Sequence, residues 1–187
     1  MLTITIKAGE LYDENKNEFV NLRSDQVLCL EHSLVSISKW ESKWHKPFMD
    51  DRTPKTKEEI IDYIRCMTIT QNVDPAIYYL LSPKAFEQIQ NYISDSMTAT
   101  WFNDKKTKGR KKRIITSELI YYWIVSLQIP FECQKWHINR LLTLIRVCNE
   151  ENKEAYGTKN KKGSTRQMLS ERAALNAARR KQLGSRG

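Results

Sequence analysis

The sequence predicts an α+β fold that is mainly α-helical, with a small antiparallel β element at its N-terminus and a basic C-terminal tail. Apolar and polar side chains alternate near the start, whereas later apolar residues recur at three- and four-residue spacing. The apolar content of 40% is enough for a packed core, and 187 residues fit one domain plus a tail. We therefore expect a globular domain over residues 1–152, with a basic linker and a helical or flexible tail over residues 153–187.

The β element is predicted from the first thirty residues. Leu2, Ile4 and Ile6 alternate with polar side chains, as on a half-buried strand. A polar stretch then has the composition of a turn, and two short extended runs follow it. The predicted strands, arranged as a small antiparallel meander, are residues 2–7, 19–22 and 26–30.

A helix is predicted from Leu34 onward. Ile37, Trp40 and Trp44 recur at helical spacing, with charged residues on the other side. Pro47 cannot continue a helix, so we expect this one to end near it.

Three further helix starts carry capping residues. Thr56 and Glu59 have the spacing of a capping box, in which the hydroxyl and the carboxylate each satisfy a free backbone amide. Asp74 and Ser82 each precede a proline, which is favoured at the first helical position. The apolar residues expected to face the core are Ile60, Ile61, Ile64 and Met67 in the first helix and Phe86, Ile89 and Ile93 in the last.

A central buried helix is predicted at residues 119–127, which are apolar on all sides and follow the helix-start residues 116–118. Pro130 ends it, and apolar residues at helical spacing predict a partner helix from residue 138 to about residue 149. The two would form a helical hairpin in the core. The tryptophans on apolar helical faces are predicted to be core residues: Trp40, Trp44, Trp123 and Trp136.

Positive charge is concentrated in two segments. Residues 105–113 hold seven basic residues and no acid, and residues 153–187 hold ten basic and two acidic residues. Because the formal net charge is +9, the other 143 residues carry −6. This distribution is typical of a protein that contacts acidic partners through basic arms. The candidate partner-binding residues are Lys105, Lys106, Arg110, Lys111, Lys112 and Arg113 in the first segment and Arg166, Arg172, Arg179, Arg180 and Lys181 in the second.

These arms have two candidate partners. Nucleic acid is one, because the first segment would neutralise phosphates while Trp101, Phe102 and Tyr121 supply stacking. The plainer interpretation buries Trp101 and Phe102 and leaves the lysine-rich loop solvated, and the acidic remainder of the chain repels phosphate. A protein groove is favoured, with the Ala- and Arg-rich residues 166–183 folding on it as a helix that is marginal alone.

Catalytic and metal sites are not predicted. Cys29 with His32, and Cys133 with His137, have spacings found in Cys2His2 zinc sites, but both pairs lie in apolar, regular segments typical of a core. We therefore expect no metal, no other cofactor and reduced cysteines. No nucleophile triad pattern and no glycine-rich phosphate loop is present in the sequence, so we do not expect an enzyme.

Membrane insertion is not predicted either. No apolar run approaches the roughly 20 residues that span a bilayer. The N-terminal residues also lack the charged start and the cleavage region of a signal peptide. We expect a cytoplasmic protein.

Several long stretches carry a family resemblance, which extends over nearly the whole chain: residues 30–34, 38–48 (SKWESKWHKPF), 97–102 (MTATWF), 129–141 (IPFECQKWHINRL) and 176–184. They resemble a family of small proteins from the structural gene modules of tailed bacteriophages, which are usually labelled tail assembly chaperone or phage protein of unknown function. The resemblance implies a role in virion morphogenesis and supplies no catalytic residues.

The resemblance implies a non-catalytic factor that binds a structural protein during virion assembly, such as the tape measure protein or another tail component. The protein would act in the host cell cytoplasm, and self-association into a homo-oligomer is compatible with this role. One alternative is a structural component of the virion neck or tail, which would be present in the virion. Another is a DNA-contacting protein of the head or packaging apparatus.

Overall fold

The computed structural model describes residues 1–13, 18–22, 24–50, 52–102, 114–160 and 165–182. The chain divides into two compact units, Met1–Ile145 and Arg146–Gly187, and this division falls within a helix. The predicted mainly helical α+β class is confirmed. The elements are β1 (Leu2–Ile6), β2 (Gly9–Asp13), β3 (Glu18–Leu22), β4 (Gln26–Leu30), α1 (Leu34–Trp44), α2 (Lys57–Met67), a 3₁₀ helix (Pro75–Leu80), α3 (Pro83–Ser94), α4 (Ser117–Ser126), a 3₁₀ helix (Phe131–Lys135), α5 (Ile138–Asn160) and α6 (Thr165–Gln182).

The β element is antiparallel as predicted, but it is not a meander. β1 pairs with β4, with Ile4 opposite Leu28, and β2 pairs with β3 as a separate hairpin between them in the chain. The register explains the difference, because it puts Ile4, Ile6, Leu28 and Leu30 together on one buried face. β2 itself was not predicted, since its five residues carry little apolar alternation.

α1 is the most central helix of the first unit. Ser33 caps its N-terminus with its side chain, and its last turn ends at Trp44, before Pro47 as predicted. Leu34, Ile37 and Trp40 are completely buried on the side that packs against α2, α4 and the 3₁₀ helix Phe131–Lys135.

α2 begins at the predicted capping box. The Thr56 hydroxyl accepts from the amide of Glu59 at 3.2 Å, and the Glu59 carboxylate accepts from the amide of Thr56 at 2.9 Å. Ile61, Ile64 and Met67 are buried as expected. The prediction that Ile60 faces the core is wrong, since its side chain is 43% exposed and Tyr63 occupies the buried position instead.

The two proline-marked helix starts are confirmed. The Asp74 carboxylate accepts from the amide of Ala76 at 2.9 Å, and the Ser82 hydroxyl accepts from the amide of Ala85 at 3.2 Å. The first start opens a 3₁₀ helix and the second opens α3. Ala85, Ile89 and Tyr92 form the buried face of α3, whereas Phe86 and Ile93 are half-buried.

α4 buries only one face, so the central helix differs from the prediction. Ile120 and Ile124 are buried toward α1, but Tyr122 and Val125 are 65% and 60% exposed. An all-apolar sequence does not reveal which side faces water, and that choice is made by packing on α1. The predicted helix from residue 138 is present, but α5 continues beyond residue 149 to Asn160.

Only one of the four tryptophans predicted for the core lies there. Trp40 is completely buried, and its indole N–H donates to the backbone oxygen of Glu59 at 2.8 Å. Trp44, Trp123 and Trp136 are half-buried. The amphipathic indole explains their position, because it packs on one side and keeps an edge in water.

The second unit, Arg146–Gly187, contains the end of α5 and all of α6. The sequence predicts a flexible basic linker at residues 157–164. Residues 157–160 instead continue α5 as a helix, and residues 161–164 lie outside the described residues. The described side chains of α6, which are Ser170 and residues 172–179, are all exposed.

Candidate functional site

The predicted basic arms fall differently in the structure. Lys105, Lys106, Arg110, Lys111, Lys112 and Arg113 lie outside the described residues. Arg166, Arg172, Arg179, Arg180 and Lys181 all belong to α6. The side chains of Arg172 and Arg179 are exposed, so both guanidinium groups are accessible to a partner.

α6 carries a stripe made of Arg172, Leu175 and Arg179. These residues are spaced by three and four positions, which places them on one face of a helix. Leu175 is 63% exposed between the two arginines. The stripe combines an apolar side chain with two cations, as on helices that bind a groove with an apolar floor and acidic rims.

The histidines of the predicted Cys and His pairs meet in the core. The ring centroids of His32 and His137 are 5.0 Å apart, and the amide of Ile138 donates to the backbone oxygen of His32 at 2.8 Å. The ring of His32 shares a hydrogen bond of 2.5 Å with the Tyr63 hydroxyl, while His137 contacts the backbone oxygen of Tyr92 at 2.9 Å. Both rings are therefore held by protein groups.

Burial sets the protonation of this pair. Desolvation first, and then the neighbouring His137, lower the pKa of His32 from 6.5 to about 3. Desolvation also lowers the pKa of His137. The two rings are therefore neutral at pH 7.

The cysteines do not complete a zinc site. Cys29 is half-buried on β4, and Cys133 is buried in the 3₁₀ helix Phe131–Lys135. In the part of the chain that the structure describes, no three His, Cys, Asp or Glu side chains are grouped so that they hold a metal ion. The histidines act in this arrangement as polar core residues.

Two tyrosines extend the buried polar cluster. The Tyr92 hydroxyl donates to the Glu31 carboxylate at 2.5 Å, and the Tyr63 hydroxyl lies 3.5 Å from the hydroxyl of Ser36. Burial raises the pKa of both tyrosines, so both stay protonated donors. Each hydroxyl is engaged by a protein group and points to a structural role.

Glu41 connects three elements of the first unit. Its buried carboxylate accepts from the amide of Phe48 and from the amide of Ser117, each at 2.7 Å. A carboxylate at the first turn of α4 is favoured by the free amides and the positive end of the helix dipole. Glu41 therefore fixes both the start of α4 and the position of Phe48.

A cleft of about 580 Å³ lies between the loop that follows α1 and the helices α2 and α3. We call it the Phe48 cleft. Phe48 stacks on buried Tyr63 with 3.9 Å between ring centroids, and the ammonium of Lys55 lies 4.6 Å from the Phe48 centroid.

The Phe48 cleft was not predicted from the sequence. The only signal was a loop with Pro47 and Pro54 around an aromatic residue, and loops often carry binding residues.

Exposed aromatic residues also lie outside the Phe48 cleft. Tyr122 and Phe131 are exposed, and Phe131 stacks on half-buried Tyr121 with 6.4 Å between centroids. Trp101 is 85% exposed, so the interpretation that buried it is wrong, whereas Phe102 is half-buried.

Comparisons of the chain with protein-family models, with curated proteins and with solved structures gave no match. Among the described helices, none has both the length and the apolar content of a membrane span.

Proposed function

We propose that the protein is a non-catalytic phage morphogenesis factor that binds a structural protein of the tail during virion assembly, in the manner of a tail assembly chaperone. The observation that carries this proposal is α6, whose described side chains are all exposed and include the stripe Arg172, Leu175 and Arg179. The resemblance of the sequence to a family of tailed-phage structural modules supplies the biological setting. The tape measure protein or another tail component is the proposed partner.

The physical argument for this proposal concerns the stability of α6 on its own. An isolated helix of this length is marginal in water, because little apolar surface is buried to offset the entropy of ordering it. A partner groove with acidic rims would bury Leu175 and pair with Arg172 and Arg179, and the helix would gain its stability there.

The buried polar groups support a non-catalytic role. His32, His137, Tyr63 and Tyr92 are buried in the first unit, and their polar atoms are engaged by protein groups. Polar groups that are paired in this way fix a packing arrangement.

The test is capture of the proteins of the phage structural module, co-expressed with the tagged full chain. We expect a tail component to be retained, and retention should weaken as salt screens the exposed charges. Truncation after Asn152 should weaken capture strongly while the first unit stays folded, because the described side chains of α6 are exposed.

Two double variants, each of which removes two positive charges, test whether capture depends on the stripe or on positive charge in general. Arg172→Gln with Arg179→Gln should weaken capture, whereas Lys57→Gln with Lys84→Gln, which removes two exposed cations from the first unit, should not. Equal capture by the truncated chain at low salt would show that the basic tail is not the binding device.

Trp101 favours a second candidate, which is contact with DNA by a head or packaging protein. An exposed aromatic side chain close in sequence to the basic residues 105–113 is the composition of a stacking and phosphate-binding arm. DNA binding that falls with salt and is lost in Trp101→Ala would favour this candidate. Detection of the chain in purified virions would instead favour a neck or tail component.

A further inference from the structure

Phe48 forms the floor of the Phe48 cleft, and buried residues hold it in place. The ring of Phe48 stacks on Tyr63, and the hydroxyl of Tyr63 is in turn held by His32 at 2.5 Å. The backbone of Phe48 is held by the Glu41 carboxylate at 2.7 Å. A floor held by buried groups does not have to be ordered when a ligand binds, which favours affinity.

The cleft has apolar walls that face solvent. Ile60 on α2 is 43% exposed, and Ile93 on α3 is half-buried. The volume of about 580 Å³ lies within the range of pockets that take small ligands or single side chains. An apolar side chain that enters the cleft would cover Ile60 and extend the stack of Phe48 on Tyr63.

One cation, Lys55, lines the described part of this cleft. The ammonium of Lys55 lies over the rings of Phe48 and Trp40, at 4.6 and 5.9 Å from their centroids. Asp50, which also lines the cleft, pairs with Arg52. Glu59 binds Lys46 and the amide of Thr56, and its charge also interacts with that of Lys55. None of the described carboxylates forms an ion pair with Lys55.

We propose that the Phe48 cleft binds a segment of a partner protein that inserts an apolar side chain and places an adjacent carboxylate on Lys55. The apolar part meets Phe48, Ile60 and Ile93, and the carboxylate complements the only cation that lines the described cleft. This site lies in the first unit and is distinct from the stripe on α6, so it does not depend on the proposed function.

The test uses the ¹⁵N-labelled full chain and two small probes that differ in charge alone. N-acetyl-L-phenylalanine carries the carboxylate, and N-acetyl-L-phenylalaninamide has the same ring without the charge. We expect saturable shifts at the amides of Phe48, Ile60 and Ile93 with both probes, and about fivefold tighter binding of the carboxylate because a partly exposed ion pair adds a modest free energy.

Two variants assign the contacts. Lys55→Met keeps the aliphatic stem and should remove the preference for the carboxylate, whereas Lys57→Met, an exposed lysine that does not line the cleft, should leave the preference intact. Gln90→Trp should fill the cleft and weaken the binding of both probes, and it alters none of the buried residues that hold Phe48 in place.

Three outcomes would overturn the proposal. The first is the absence of saturable shifts in the cleft, and the second is equal affinity for the charged and neutral probes in the unmodified chain. The third is an unchanged preference in Lys55→Met. Spectra of each variant away from the cleft report whether it has kept its fold.

Discussion

The first unit and helix α6 differ in where their polar side chains lie. In the first unit, Glu41, Glu59, His32 and Tyr63 are buried, and protein hydrogen bonds satisfy them. In α6 the described side chains, among them Arg172 and Arg179, all face solvent. The first arrangement is costly to disturb and specifies a fold, while the second costs little to change and leaves Arg172 and Arg179 exposed. We therefore expect changes to the buried polar groups of the first unit to lower stability, and changes to the exposed side chains of α6 to leave stability nearly unchanged.

The largest expected effect is at the core of the first unit. Trp40→Ala should reduce the free energy of unfolding by about 3–5 kcal/mol, because it removes a completely buried indole and its hydrogen bond to the backbone oxygen of Glu59. Trp123→Ala should cost less than about 2 kcal/mol, since Trp123 is only half-buried. Urea unfolding of both variants measures the difference. Equal losses would mean that Trp123 is part of the core after all.

The next effect tests the connection made by Glu41. Glu41→Gln should lower the free energy of unfolding by about 1.5–3 kcal/mol, because one of the amides of Phe48 and Ser117 would then face a donor instead of an acceptor. Glu58→Gln is the matched control, since Glu58 is exposed in the first turn of α2. Chemical unfolding at pH 7 gives both values. If the free energy of unfolding falls by the same small amount in both variants, Glu41 does not hold these elements together.

Acid should weaken the first unit through its histidines. The pKa of His32 is lowered from 6.5 to about 3 in the folded state. Below pH 6.5, His32 is therefore protonated in the unfolded chain but stays neutral in the folded chain until about pH 3. Between pH 7 and pH 5 this should remove about 2 kcal/mol of stability, and His137 acts in the same direction.

Unfolding curves at several pH values give the slope of the free energy of unfolding against pH. Glu31, Asp95 and Tyr63 face the same cluster, so the slope of the unmodified chain must be compared with that of His32→Gln, which should be shallower. His45→Asn, which changes an exposed histidine in the left-handed conformation, should keep the original slope. An unchanged slope in His32→Gln would remove His32 as the source of the effect.

The smallest effect on stability is expected in α6. Leu175→Ala should change the free energy of unfolding by less than about 0.5 kcal/mol, because the side chain is already 63% exposed. The same variant should weaken capture of the proposed partner. A large loss of stability in Leu175→Ala would contradict the division between the two regions.

Local signals were read correctly from the sequence. The capping pairs at Thr56 and Ser82 act within three residues, so the helix starts follow from short-range hydrogen bonds. The strand at residues 26–30 also follows from a local pattern. These elements, and the mainly helical α+β class, were predictable from the sequence.

Features that depend on distant residues were not predictable. The exposed face of α4 is decided by packing on α1, and the pairing of β1 with β4 bypasses the β2–β3 hairpin. The Phe48 cleft joins a loop to Ile60 and Ile93, which belong to two different helices. For the candidate site, the sequence indicated the basic residues of α6 through composition, but it contained no local pattern for Lys55 and its aromatic neighbours.

The bond between the amide of Ile138 and the backbone oxygen of His32 has a consequence for biosynthesis. It joins residues more than 100 positions apart, as does the bridge between Ser33 and His137. At about 5–20 residues per second, several seconds pass on the ribosome between the synthesis of His32 and that of Ile138. During this interval the junction of β4 and α1 is without its partner, so these two contacts form only after residue 138 has been made.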